Sequence, residues 1–205
     1  MKRFLFSFLL AAPLAFPQLL TWGVKAGVPF TDAFKTAQTG DLGYVSDTRR
    51  YTFGGTAEVN LPFGLGVELD LLYRRLNYEA QGTAGGEAVR RSVTANAWDF
   101  PLLLKWKAGI RPLQPFFTVG PTFRGLTNLS QAGTFFNSDR GDDPIELERK
   151  GNTGLTVGIG ARLGNQIALS PEVRYTRWGW DNFRDPFSLL RSNRDQVEFL
   201  VGVTF

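Results

Sequence analysis

Residues 196–205 read QVEFLVGVTF, and this stretch decides the fold. Val197, Phe199, Val201, Val203 and Phe205 fall on one side of it; Gln196, Glu198, Leu200, Gly202 and Thr204 fall on the other. A repeat of two is the signature of a strand with two unlike faces. A strand at a chain terminus frays unless it is paired on both sides. The rest of the sequence must supply its neighbours.

Seven other stretches alternate in the same way: TWGVKAGVPF (21–30), YTFGGTAEVNL (51–61), LGVELDLLYR (65–74), AWDFPLLLKW (97–106), PFFTVGPTFR (115–124), GLTVGIGARL (154–163) and IALSPEVRY (167–175). Each is about ten residues, the length a tilted strand needs to cross a hydrocarbon layer. Prolines in the fourth, fifth and seventh stretches remove ladder donors, so bulges are expected there. The connections after stretches two, four and six are short (LPFG, KAGIRPL and GNQ). Those after one, three, five and seven run to about 15–30 residues and are expected to be long loops. Short turns on one rim and long loops on the other are the plan of an outer-membrane barrel.

The aromatic residues give an independent check. If the first strand rises from the short-turn rim, Phe30, Tyr51, Phe53, Tyr73, Trp98, Phe123 and Tyr175 gather near the long-loop rim. Trp22, Phe63, Trp106 and Phe205 gather near the other. Two girdles of amphipathic rings suit two membrane interfaces. The expected fold is therefore all-β: an eight-stranded antiparallel up-and-down transmembrane β-barrel.

Composition agrees. The chain of 205 residues has room for one such domain, with 23 glycines and 14% aromatic residues. The start, MKRFLFSFLLAAPLAFPQ, has a basic pair followed by the apolar run Phe4–Ala12, too short to span a bilayer as a helix. Residues 1–18 are read as a secretory signal peptide, with cleavage expected after Ala15, and residues 19–205 as the barrel domain. Without Lys2 and Arg3, 21 basic residues face 19 acidic ones, a net charge of +2 that gives no case for nucleic acid.

The whole mature chain resembles the small outer-membrane β-barrel proteins of Gram-negative bacteria, the OmpA/OmpX-like group and the outer membrane protein beta-barrel domain family. WDFPLLLKW, PFFTVGPTF, LTVGIGARL and SPEVRYTRW carry the resemblance. It implies export through the periplasm to the outer membrane and contact with outer-membrane lipid and lipopolysaccharide. The terminal Phe205 resembles the signal such proteins present to the barrel-assembly machinery. The chain is expected to end with the barrel, to be monomeric and to carry no periplasmic domain.

One rival reading has the same alternation: a soluble barrel with its apolar face inside. The polar face weighs against it. It carries Lys25, Arg74, Lys105, Arg124, Arg162 and Arg174 against Glu58, Glu68, Asp70, Asp99, Glu172 and Glu198, six charges of each sign. An enclosed, mutually paired interior needs such a balance, and a solvated face does not. These twelve are the expected lumen network.

Chemistry is sparse. There is no Cys and no His, which removes thiolates, the commonest general base and the commonest metal ligand. Glu68 and Asp70, two apart on the polar face, can in principle do acid–base work, but ion pairing with Arg74 and its neighbours accounts for them. No catalytic residue, cofactor or metal site is expected. Asp139, Asp142 and Asp143 offer hard oxygen ligands, though a solvated acidic turn explains them. IELER (145–149) is read as a possible extension of the sixth strand above the membrane. Trp178, Trp180, Phe183, Arg184, Phe187 and Arg191 mix aromatic and guanidinium groups in the last long loop. They suit a recognition surface or a lipopolysaccharide boundary, or pack over the barrel mouth. The expected role is structural or recognition at the cell surface. The alternative is a narrow pore for small solutes or ions.

Overall fold

The computed structural model describes residues 19–39, 42–46, 48, 50–84, 87–109, 112–133, 137–138, 144–186 and 189–205. The signal segment, the acidic trio 139, 142 and 143, and Phe187 lie outside them. Eight strands form the barrel: β1 (Leu20–Pro29), β2 (Thr52–Asn60), β3 (Leu65–Ala84), β4 (Glu87–Lys107), β5 (Leu113–Gly133), β6 (Gly151–Gly164), β7 (Ala168–Trp178) and β8 (Asp195–Thr204). Each pairs antiparallel with the next, and β8 returns to β1 from Gly23↔Thr204 to Pro29↔Glu198. The C-terminal strand thus pairs on both sides, with β1 and β7. Its closure needs glycine: a Cβ on Gly23 or Gly27 would stand 2.8 Å from the Cα of Thr204 or Leu200.

The two faces separate as the alternation requires. Outward residues are open, including Trp22 (60% exposed), Leu102, Leu155 and Ile159 (68%). Inward residues are closed off, including Lys25, Glu68, Asp70, Asp99 and Arg174, all at or below 3%. An apolar outside around an ionic inside excludes the soluble reading for the strands that cross the membrane. The aromatic residues form two bands. Tyr51, Phe53, Tyr73 and Trp98 touch in a row at centroid spacings of 6.0, 5.3 and 5.1 Å near one rim. Trp22 meets Phe205 at 5.3 Å near the other, the rim that also carries the exposed Phe63 of the β2–β3 turn.

Three expectations are corrected. First, β3, β4 and β5 have 20, 21 and 21 residues, twice the expected length. The register of β3 with β4 runs to Ala84↔Glu87, so the long loop expected after the third strand is replaced by paired strand. Second, the ladders keep register past Pro101, Pro121 and Pro171. Each proline drops two residue pairs from one ladder, because one missing N–H breaks one rung, and the strand continues. The register shift that does occur lies between Thr94 and Asn96, opposite a β5 segment where Asn128 has a φ of 49°. Third, residues 145–149 do not extend β6. Only Leu147 makes a bridge there, with Phe183.

The extensions of β3–β5 carry a second, separate core above the barrel. Leu76, Tyr78, Val93, Ala95, Ala97 and Leu126 point inward, and Phe34, Phe183 and Leu190 pack on them from the loops. Phe34–Thr36 pairs with Leu190–Ser192 as a small two-stranded sheet. The β1–β2 and β7–β8 loops thereby become one folded module over the mouth.

Ile159→Arg tests the outward face. Its site is mid-strand and open to lipid, so the substitution is expected to destabilise the barrel by about 2–4 kcal/mol in vesicles. Urea titration followed by tryptophan fluorescence measures it, and an unchanged midpoint would contradict a lipid-facing β6.

Candidate functional site

The candidate site is the barrel interior and the module that closes it. The lower interior is organised around Arg174. From β7 its guanidinium reaches Glu68 Oε1 (2.6 Å) and Asp70 Oδ2 (2.6 Å) on β3, and Glu172 Oε1 beside it (2.8 Å). In a ring of eight strands β3 and β7 are diametrically opposed, so this side chain spans the lumen. Lys25 from β1 joins the same carboxylates, at 2.5 Å from Glu68 and 3.3 Å from both Asp70 and Glu172. Lys105 bridges Glu68 (2.7 Å) and Glu58 (3.2 Å), and its ammonium lies 4.1 Å from the centre of the Phe116 ring. Thr118 donates to Glu172 at 3.1 Å.

A second cluster sits toward the mouth. Arg124 holds Asp99 with two bonds, Nε at 2.6 Å and Nη2 at 2.7 Å, and gives a third to Gln196 at 2.9 Å. Two parallel bonds fix a guanidinium and a carboxylate in one plane. Arg74 pairs with Glu198 at 2.8 Å and with Asp99 at 3.2 Å. The Trp178 ring lies 4.0 Å from the Arg124 guanidinium, and its indole N–H donates to Gln196 at 3.2 Å. Elsewhere the lumen is filled by Leu72, Leu103 and Leu200, each at 1% exposure or less, and by the hydroxyl chain Thr122–Thr156–Thr176 at 2.5 and 2.8 Å.

Of the twelve expected lumen charges, eleven lie in these two clusters, and Arg162 is buried on the inward face of β6. Lys107 belongs with them, contacting Glu58 and Asn60, and was not expected. It follows Lys105 by two, so the parity of β4 carried the signal past the end of the alternating stretch. Carboxylates and cations this deep are tolerable only as mutual partners. At the mouth, a cavity of about 20 Å³ bordered by Asp32, Arg50, Arg74, Arg124 and Gln196 has room for about one water molecule.

The five described residues of the expected recognition loop, Phe187 lying outside the described residues, do not share one surface. Trp178 ends β7 and faces the lumen, 3% exposed. Phe183 is 1% exposed in the upper core, its ring 5.6 Å from Phe34 and 5.7 Å from Tyr78. Trp180 is half-buried and donates to the Gly151 carbonyl at 2.9 Å. Arg184 and Arg191 are exposed. Trp178 and Phe183 are buried, while Arg184 and Arg191 stay exposed.

Three loop carboxylates that sequence reasoning passed over hold the module. Glu146, 1% exposed, accepts from Tyr78 (3.1 Å), Tyr44 (3.3 Å) and Arg91. Asp185 accepts from Tyr44 at 3.1 Å. Asp181 accepts from Arg191 Nε (2.8 Å) and Arg194 Nε (2.9 Å). Burial works against the Asp181 charge, but these guanidinium bonds hold its carboxyl below the usual carboxylate range. Burial and the nearby Glu146 charge push both the Tyr44 and Tyr78 hydroxyls above the usual phenol range. Among the described residues, no cluster of acidic side chains is arranged to hold a metal ion.

An apolar outside, two aromatic girdles and an ion-paired lumen define an integral membrane barrel of the outer-membrane type. The chain belongs to the family of the outer membrane protein beta-barrel domain, whose model matches residues 15–180, and it is a protein of the Gram-negative outer membrane. Among solved structures, the outer membrane protein OprG from Pseudomonas aeruginosa is similar at 16% identity over 90% of this chain and 92% of that one, with a TM-score of 0.57, which shows a shared fold. Neisserial surface protein A matches at 11% identity over 90% of this chain and 94% of that one, TM-score 0.46. The N-terminal β-barrel domain of Pseudomonas aeruginosa OprF matches at 13% over 92% and 98%, TM-score 0.40. No curated protein matches the chain.

Two measurements test this geometry. Arg174→Ala leaves Glu68, Asp70 and Glu172 short of their shared cation and is expected to destabilise the barrel by about 3–5 kcal/mol. An unchanged urea midpoint would mean that those carboxylates are solvated. In an ultraviolet tyrosinate titration, Tyr44 and Tyr78 should still be protonated where exposed phenols ionise, near about pH 10. A raised folded-state value means that their hydrogen bonds contribute fully below the unfolded phenol value. That contribution is lost as pH climbs through the folded one. If Tyr44→Phe and Tyr78→Phe leave the titration of the late-ionising fraction unchanged, the assignment fails.

Proposed function

We propose that this protein is a closed, non-enzymatic barrel whose role is structural or recognition at the cell surface. The observation that carries this reading is Arg174, which bridges opposite walls of the lumen to Glu68 and Asp70. The interior of an eight-stranded barrel is just wide enough for side chains to fill. The folded module over the mouth adds a second closure. The chain has no His or Cys, and among the described residues the lumen carboxylates are engaged by Lys and Arg, which supports a barrel without an activated nucleophile or a free general base.

Its partners on this reading are outer-membrane lipid and lipopolysaccharide around the girdles. During biogenesis the barrel-assembly machinery is the partner, reading the strand that ends in Phe205. Closure of β8 on β1 leaves no barrel edge for another subunit, which supports a monomer. The cavity reaching Arg74 and Arg124 favours a narrow pore as the second reading, but it holds about one water, and Leu72 and Leu200 are fully buried in the lumen outside its lining.

The test is conductance of the refolded mature protein in a planar bilayer. Verified insertion without current is the expected result. Discrete, salt-dependent steps would overturn the closed lumen and make the pore the working function.

A further inference from the structure

The small sheet on the extracellular module carries a row of like charges. Lys35 is directly opposite Arg191 in its register, and Arg191 bridges to Arg184 on its other side. All three are exposed, while their chain neighbours Phe34, Leu190 and Phe183 point into the core at 4%, 0% and 1% exposure. Alternation demands that the outer positions be polar. It does not demand that two paired strands and the segment bridged to them all present cations, and like charges directly opposite each other destabilise a sheet.

The central guanidinium is also held in place. Asp181, 1% exposed, takes the Nε of both Arg191 and Arg194. The two terminal nitrogens of Arg191 have no partner among the described residues, and its side chain remains 48% exposed. A buried carboxylate thus orients a guanidinium fork whose donors face outward. Such a fork matches two oxygens of a phosphate.

The row leads down to the membrane. Arg194 is followed by Asp195, which is opposite Arg177 in the β7–β8 ladder and pairs with it. Arg177 lies two residues beyond Tyr175 on the outward face of β7, at the upper girdle. Five cations (Lys35, Arg177, Arg184, Arg191 and Arg194) thus face two carboxylates, Asp181 and Asp195, along a stripe that starts at headgroup level.

We propose that Lys35, Arg184 and Arg191 form a binding surface for the phosphate groups of an outer-leaflet glycolipid, with Asp181 as their positioning residue. This deepens the surface-recognition reading above and rests on it. Continuity with the girdle favours a lipid over a soluble polyanion, because a stripe rooted at the interface meets headgroups first.

The experiment titrates the mature protein, folded in uncharged detergent micelles, with three probes: lipid A, dephosphorylated lipid A and free inositol hexakisphosphate. Heat-modifiable electrophoretic mobility checks that every variant is folded. Lipid A is expected to bind, to weaken with salt and to lose most of its affinity when dephosphorylated. The triple variant K35Q/R184Q/R191Q should bind about tenfold more weakly or worse. Asp181→Asn should also weaken binding although it makes the surface more positive, because it releases the fork. If the triple variant does not fold, Arg191→Lys replaces it, keeping the charge and removing the fork.

Equal binding by wild type and by the triple variant or its Arg191→Lys replacement would overturn the proposal. So would tighter binding by Asp181→Asn, which would mean diffuse charge attraction. Binding of inositol hexakisphosphate with the same variant sensitivity, and none of lipid A, would assign the surface to a soluble polyanion instead. The same proteins, transferred to a planar bilayer, report conductance. A conducting barrel would overturn the closed lumen alone, and a silent barrel indifferent to these variants would overturn this proposal alone.

Discussion

Lipid offers no hydrogen bonds, and the rest of the structure depends on that constraint. Every backbone N–H and C=O that crosses the hydrocarbon must find a partner in the chain, at several kcal/mol for each one that does not. A sheet meets the demand only by closing on itself. The ladder from Gly23↔Thr204 to Pro29↔Glu198 is therefore the seam on which the other seven strand pairings depend. The glycines at 23 and 27 belong to that seam, since any side chain there would drive β8 away from β1. The prolines of β4, β5 and β7 show how much the ladder tolerates. Each loses a rung and keeps its register, because the flanking rungs hold it.

Closure at eight strands creates a narrow interior, and its polar lining follows from the outer face. Once alternate residues must be apolar for lipid, the remaining positions are free to be polar. They cannot be polar at random. Glu68 alone is touched by Lys25, Lys105 and Arg174, from three different strands. Removing one cation leaves a buried carboxylate under-partnered, so the network works as a unit. Its bonds run across the lumen as well as along its wall. The side chains that make the interior habitable for charge are therefore the ones that block it.

The barrel was legible in the sequence because a two-residue period with one apolar face survives without any knowledge of partners. Parity alone placed all twelve expected lumen charges on the inward face; it did not say which would pair with which. The upper half was not legible, for a physical reason visible at one place. Along β3 the apolar positions are Leu69, Leu71 and Tyr73, facing outward; then, past Arg74, they become Leu76 and Tyr78, facing inward. Arg75, exposed, takes the outward position. β4 makes the same change between Phe100 and Trp98, outward, and Ala97, Ala95 and Val93, inward. The alternation does not stop at the rim; it changes phase. A reading that looked for one phase ended each strand where the phase reversed and took the remainder for loop.

That reversal is the membrane boundary written into the strands. Below it the outer face meets hydrocarbon and the inner face holds ions. Above it the outer face meets water and the inner face gathers a hydrophobic core, as in a soluble barrel. The rival reading of the sequence is thus the correct physics for the upper half of β3–β5. It also explains why Phe183 of the last loop is not displayed. Phe34, Phe183 and Leu190 lie in loops too short to bury them alone, and the phase change offers them an apolar wall on Leu76, Tyr78 and Val93. Burying them there turns their neighbours Lys35, Arg184 and Arg191 outward by the same two-residue rule. The charged face of the module is therefore a consequence of the core beneath it, and it is fixed in place as firmly as that core is packed.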